Sequence, residues 1–453
     1  MTNKNIDLGT GSVGKLLVKL ALPAIVAQMV NVLYNIVDRI FIGRMANGEL
    51  AMAGVGVAFP IIMIISAFSS LVGMGGAPLA AIKMGEKDKD GAEKIMTNSF
   101  IMLIIVGAVL TIIFAVFKTP MLWAFGASDK TIGFANDYLT IYLIGTVFVQ
   151  IALGMNPFIN TQGFAKTGMI TVLVGAVINT ILDPIFIFGL NMGVKGAALA
   201  TIIAQIVSAL WVVVFLFGKK SIIKIRKKYF IPDYKVVLST MALGISPFIM
   251  QSTESLVLIS LNNKLQVYGG DLAVGAMTIM SSIMQIVLLP LMGLTQGAQP
   301  IISYNFGSKQ LNRVKETFKL LLKSCLTYTV IMWALLMLFP GTFVAIFNNK
   351  PQLVEITSWS IRIFFAGIFL FGAQIACQQT FLALGQAKIS LMLALLRKVV
   401  LLIPLIFILP RFFSNKLGGV LMAEPIADIL AALTTIACFR AFYRNILVDS
   451  KGR

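Results

Sequence analysis

Along the chain, apolar runs of about 20 or more residues alternate with short breaks marked by charge, glycine or proline. Twelve such runs lie near 15–43, 51–83, 92–117, 131–160, 167–190, 195–217, 236–262, 272–304, 313–339, 353–384, 389–410 and 417–443. Each is long enough for a helix to cross the hydrocarbon layer, so the pattern predicts an all-α membrane protein with twelve transmembrane helices. Several runs exceed the bilayer thickness and are expected to tilt or protrude. The first run is too long for the apolar core of a cleaved signal and lacks a small-x-small exit, so it is expected to stay as a helix. An even number of spans places both termini on one side.

The pattern also repeats. A shift of 222 residues lays Gly75-x2-Pro78-x6-Gly85-x-Lys87 over Gly297-x2-Pro300-x6-Gly307-x-Lys309. The same shift pairs Gly145 with Gly367, and Gly163-x-Ala165-Lys166 with Gly385-x-Ala387-Lys388. Each repeat holds six spans, so the second copy enters the membrane in the same sense as the first. Parallel repeats about an axis along the membrane normal are an arrangement used by alternating-access transporters. The expected organisation is an N-terminal lobe over 1–218, a basic linker over 219–235 and a C-terminal lobe over 236–453.

Composition narrows the class further. The 453 residues are 58% hydrophobic and only 12% charged, which excludes a soluble enzyme or a disordered scaffold. The net charge of +19 suggests nucleic acid until its placement is considered. Of the 37 Lys and Arg residues, 25 fall on the side of the termini, nine on the other side and three within spans. The basic side is expected to be cytoplasmic, with both termini there and no nucleic-acid partner. The densest run, Lys219, Lys220, Lys224, Arg226, Lys227 and Lys228, is expected to touch anionic lipid headgroups. There is no histidine, and Cys325, Cys377 and Cys438 are far apart, which excludes imidazole catalysis, His-ligated metals and CxxC motifs.

Acidic residues inside spans are costly unless paired, protonated or facing water, and each is a functional candidate. They are Asp38, Asp183, Glu254, Glu424 and Asp428. Asp183 lies about 25 Å beyond Lys166 at about 1.5 Å per residue, in the outer part of its span. Asp38, Tyr138 and Thr201 reach a similar level. Asn179 stands one turn before Asp183, and Pro184 directly after it cannot donate to the Thr180 carbonyl, which frees a backbone oxygen. A carboxylate, an amide oxygen, a hydroxyl and a free carbonyl suit either Na⁺ or a shuttled proton. The structural alternatives are a protonated, packing Asp183, a surface salt bridge from Asp38 to Arg39 or Arg44, and a pair between Glu254 and Arg397 or Lys398. Glu424 and Asp428 fit the acid of such a pair or a proton relay. Pro23 interrupts the first span, where it serves a moving bend or a static kink.

Leu22-Pro23 and Asn35-x2-Asp38 in span 1, Asn179-x3-Asp183-Pro184 in span 5, Gly193-Val-Lys-Gly196-Ala-Ala and Gln296-Gly-Ala-Gln-Pro300 together resemble the multidrug and toxic compound extrusion (MATE) family. The likeness covers essentially the whole chain and is nearest to the DinF/MepA-like bacterial branch. It implies a V-shaped bundle of two six-helix lobes that exports cationic, amphipathic drugs in exchange for H⁺ or Na⁺. Asp38 and Asp183 would be the ion-coupling carboxylates, with Asn179, Tyr138 and Thr201 beside them and Pro23 and Pro184 as hinges. With sodium, the ligands would be Asp38, Asn179, Asp183 and Thr201. Glu254 resembles a glutamate that other branches place in span 7. Their span-10 aspartate has no acidic match here, where Gln374 and Gln378 stand. Glu254, Gln374, Gln378 and Asp428 are therefore secondary candidates for substrate or ion.

The expectation is a secondary antiporter of the bacterial cell membrane, acting as a monomer on small cationic drugs, with no enzyme activity and no cofactor beyond the coupling ion. A flippase for lipid-linked precursors is the alternative, and it would need a strongly basic cavity.

Overall fold

The computed structural model describes residues 7–45, 47–347 and 351–444; Lys4, Lys350, Lys451 and Arg453, counted in the charge balance, lie outside them. Among the described residues, ten continuous helices are long and apolar enough to cross a bilayer. They are span 1 (Val13–Gly43), span 2 (Gly48–Gly85), span 3 (Lys89–Ala124), span 5 (Ala165–Gly189), span 6 (Val194–Phe217), span 7 (Tyr234–Gly270), span 8 (Leu272–Gly307), span 9 (Leu311–Leu338), span 11 (Ala387–Arg411) and span 12 (Lys416–Phe442). Spans 4 and 10 complete the twelve as bent pairs, Ile132–Ile144 with Thr146–Thr161 and Pro351–Phe364 with Ile368–Ala383.

Those two elbows depart from the single runs expected over 131–160 and 353–384. Span 4 turns by 62° and span 10 by 50°, at the repeat-related Gly145 and Gly367. The cause is lateral packing. A Cβ on Gly145 would overlap the Ile202 side chain of span 6, and one on Gly367 would press on the Pro425 backbone of span 12. The repeat recurs in backbone geometry, because Lys87 and Lys309, which follow spans 2 and 8, both take the left-handed region with φ of 62° and 59°.

The lobes meet along the end of the bundle that carries the described N-terminal residues and the linker, called the basal end below. Spans 2 and 8 cross there so closely that a Cβ on Gly85 would overlap the Tyr304 carbonyl and one on Gly307 the Ile82 carbonyl. Further up, Gly75 of span 2 lies against Thr240 and Gly244 of span 7, while Gly297 of span 8 lies against Ala21 of span 1. The highest named links are a Ser70–Gln251 hydrogen bond of 2.8 Å and the edge-on Phe68–Phe248 pair at 4.9 Å. Beyond them, Leu33, Ile36 and Ile40 of span 1 and Leu256 and Ile259 of span 7 stand exposed.

Two straps tie the lobes together at the base. Ahead of span 1, the Arg313 guanidinium of span 9 donates to the Gly11, Leu8 and Thr10 carbonyls at 2.7, 3.3 and 3.2 Å, and the Asn305 amide donates to Leu8 at 2.9 Å. Leu8, Leu16, Leu17 and Leu20 accordingly pack in the same apolar cluster as the C-terminal lobe. Ahead of span 7, the linker is held by span 3 through Arg226–Glu93 and Lys228–Asp90 at 2.9 Å and Lys94–Asp233 at 2.5 Å. Gln162 accepts the Ile222 and Ile223 amides at 2.7 and 3.1 Å. Arg226 and Lys228, expected to face lipid headgroups, are thus engaged by carboxylates that sequence distance concealed.

Candidate functional site

The first four residues singled out on spans 5, 4, 6 and 1 do converge in the upper part of the N-terminal lobe. Span 5 remains α-helical to Pro184 and then widens into a π-helical turn over Ile185–Gly189. Proline's missing N–H makes the regular ladder impossible at that point. Gly196 of span 6 packs directly on the Phe186 backbone, which fixes the widened turn against its neighbour. Asp183 is thereby held at the end of the regular helix, fully buried.

Around Asp183 a hydrogen-bonded row forms. The Asn179 amide donates to Asp183 Oδ2 at 2.6 Å, and the Thr201 hydroxyl donates to Asn179 Oδ1 at 3.4 Å. Tyr138 stands within hydrogen-bond reach of Thr201 and stacks on Tyr142 with ring centroids 6.2 Å apart. From span 1, Asp38 comes within hydrogen-bond reach of Asp183. Asp38 Oδ1 and Asp183 Oδ1 are both buried without a donor. The surface salt bridge considered for Asp38 is not formed: Asp38 points inward, and the Arg39 guanidinium lies 5.3 Å above the Phe59 ring. Among the described residues no ion pair reaches either aspartate.

The acidic residues of the C-terminal lobe are arranged differently. Arg397 binds Asp428 at 2.6 Å and Glu424 at 3.1 Å, and stacks 4.7 Å from the Phe371 ring centroid. Lys398 forms an ion pair with Glu254. Both bases lie on a π-helical turn, Leu396–Leu402, which aims consecutive side chains at spans 7 and 12. Of the span-10 glutamines, Gln374 is buried with Oε1 unpartnered, and Gln378 donates to the Met250 sulfur at 3.3 Å. Glu254 and Asp428 are therefore engaged in pairs in this structure, whereas Asp38 and Asp183 have no basic partner among the described residues.

A sequence model of the MatE family matches twice, over residues 23–185 and 244–408, an offset close to that of the internal repeat. The chain belongs to the MatE family. The multidrug export protein MepA of Staphylococcus haemolyticus (strain JCSC1435) is 26% identical over 438 residues, covering 97% of this chain and 96% of the relative. The MepA of Staphylococcus aureus (strain MRSA252) is 25% identical over 436 residues, covering 96% and 95%. A crystal structure of MATE in the bent conformation superposes with a TM-score of 0.93 at 24% identity over the whole of both chains. An outward-facing multidrug resistance MATE family transporter of the MOP superfamily gives 0.89 at 24% identity over 98% of each chain. At that identity the likeness shows the fold. MatE proteins are membrane transporters, and this chain is a transporter and no enzyme.

Within this MatE fold the site has members that the sequence reading passed over. Tyr34 lies one turn before Asp38 and close to both aspartates. Its i, i+4 spacing from Asp38 was the available signal. Below the aspartates a cavity of about 60 Å³ is lined by Asn31, Tyr34, Asn156, Thr171, Asn179 and Ser208, among others. That volume holds a few water molecules and excludes a drug. Its polar residues are scattered over four spans, so no local pattern announces it. Pro23 lies on the stretch of span 1 where Gly293 and Gly297 of span 8 press on Ile25 and Ala21.

Proposed function

We propose that this transporter is a secondary antiporter that exports cationic, amphipathic compounds and takes up H⁺ or Na⁺ at Asp38 and Asp183. One observation carries the reading: two buried carboxyls face each other on different spans with no basic partner among the described residues. Two carboxylates in contact inside a membrane cannot both stay charged unless a cation or a shared proton sits between them. Asn179, Thr201 and the Thr180 carbonyl released by Pro184 supply further oxygen atoms, so the same pocket suits Na⁺ ligation or proton exchange.

Span 1 and span 5 each contribute one carboxyl, so neutralising the pair lets the two spans pack together. Losing the ion drives them apart or opens them to water, and the ion thereby biases a two-state bundle. The basal end, which carries the excess of Lys and Arg, faces the cytoplasm of a bacterial cell membrane, and a single chain holding both lobes suffices. The lipid-precursor flippase fits less well. Arg397 and Lys398 are already paired with Glu424, Asp428 and Glu254 and are not free to hold a pyrophosphate. The relatives named for multidrug export support the choice of cationic drugs as substrates.

Purified protein in vesicles, loaded with ethidium and given a pH gradient or a Na⁺ gradient separately, tests this reading. Export driven by one of the two gradients supports it. Export indifferent to both overturns it.

A further inference from the structure

At the base of the bundle a second cavity of about 240 Å³ opens between the lobes. It is built by five stretches distant in sequence: the strap before span 1 (Asp7, Leu8), the end of span 2 with the turn into span 3 (Met84, Lys87, Lys89), the end of span 4 (Gln162), the linker (Ile222, Ile223) and span 8 (Tyr304). The Gln162 amide oxygen is spent on the linker.

Of the charged residues that line this cavity, two are basic, Lys87 and Lys89, and one is acidic, Asp7. Glu86 and Asp88 hold Lys83 at 2.8 and 3.2 Å, Asp90 holds Lys228, and Glu93 holds Arg226. Asp88 also caps span 3 by accepting the Gly91 amide. Asp7 uses both oxygens on its own turn, taking the Gly9 amide at 2.9 Å and the Thr10 hydroxyl at 2.7 Å. The carboxylates of the turn and of span 3 are thus paired with bases and Asp7, though still charged, is held in its own turn, while Lys87 and Lys89 have no ion-pair partner among the described residues. They flank a turn whose left-handed backbone at Lys87 sets both residues on the cavity wall.

We propose that this basal cavity binds a phosphate-bearing anion, a phospholipid headgroup or a soluble phosphate ester, through Lys87 and Lys89. Two solvent-exposed lysines lining one cavity can offer an anion with several acceptor oxygens charge-assisted hydrogen bonds that a headgroup without net charge does not match. About 240 Å³ accommodates a phosphate ester with its waters and is too small for a multi-ring drug. The walls come from both lobes, so the site is complete only while the base is closed. A bound anion therefore favours the closed base, and the closed base binds the anion more tightly by the same factor. The coupling ion and the exported compound play no part in this.

The test uses the full chain in nanodiscs of neutral phosphatidylcholine with increasing phosphatidylglycerol, with bound lipid counted by native mass spectrometry. Parallel titrations use inorganic phosphate and glycerol 3-phosphate. The variant combines Lys87→Gly, which keeps the left-handed turn, with Lys89→Ala. Loss of each charged contact lowers affinity roughly tenfold. Retention of one phosphatidylglycerol by the wild type and its loss in the variant assigns a lipid headgroup. Saturable binding of the soluble phosphates instead, again lost in the variant, assigns a soluble anion. Binding of neither probe, or equal binding by wild type and variant, overturns the proposal. Should the double variant fail to fold, Ile222→Trp, which fills the cavity and keeps both lysines, must abolish the same binding. Unaltered binding in that variant is equally fatal.

Discussion

Replacing Gly85 or Gly307 by alanine puts a methyl group into the crossing of spans 2 and 8, and the consequence can be worked from the contacts. The new Cβ of residue 85 would overlap the Tyr304 carbonyl, and that of residue 307 the Ile82 carbonyl. Backbone atoms cannot rotate away, so the helices must separate. Forcing a methyl into a packed contact costs about 1–3 kcal/mol. The penalty falls on the closed base alone, because with the base open the two helices no longer touch. Each substitution should therefore shift the closed-to-open ratio toward open by about 5- to 150-fold. The double variant should exceed either single one but fall short of their sum, since both methyls widen the same crossing. Spin labels on cysteines replacing the exposed Lys220 and Lys309 report the separation by pulsed electron resonance. Native Cys438 is replaced, and buried Cys325 and Cys377 are checked for labelling. A longer-distance population that grows with each alanine is expected. Unchanged distance distributions in both single variants would refute the reasoning.

Other substitutions probe the two polar clusters and the linker. Arg397→Met strands Glu424 and Asp428 in the C-terminal lobe and should destabilise by about 3–5 kcal/mol, whereas adding Glu424→Gln and Asp428→Asn should recover most of it; thermal unfolding in detergent reads both. Asn179→Leu removes the one amide that donates to Asp183 and should lower the ion affinity about tenfold or more, seen as a higher gradient needed for half-maximal export. Lys94 beside Asp233, with the Lys235 amide, holds that carboxyl below the usual carboxylate range. The clasp is therefore fully present above about pH 4 and is lost as pH falls through the lower, folded value. Hydrogen exchange of the 229–234 backbone should accelerate only in that acid window, and Asp233→Asn should abolish the pH dependence.

The spans were legible because bilayer thickness sets a length that apolar runs must meet. Asp38 and Asp183 stood out as candidates because a carboxylate in such a run is costly unless it is paired, protonated or facing water. What sequence spacing could not supply is contact between distant segments. The elbows at Gly145 and Gly367 depend on Ile202 and Pro425 pressing from other spans. Arg226 and Lys228 read as solvated charge until span 3 is seen to place Glu93 and Asp90 beneath them. The choice between pairing and relay for Glu424 and Asp428 required knowing that span 11 widens where Arg397 and Lys398 emerge. Tyr34 was within reach of a helical-spacing argument, while the basal cavity, assembled from five separate stretches, was not.

Ion-for-drug exchange at the paired aspartates is tested most directly by Asp183→Asn in vesicles beside the wild type, with ethidium export and drug binding measured on the same preparations. The variant should bind ethidium as the wild type does, yet show no export in response to either the pH or the Na⁺ gradient. Gradient-driven export at the wild-type rate in the variant would contradict it.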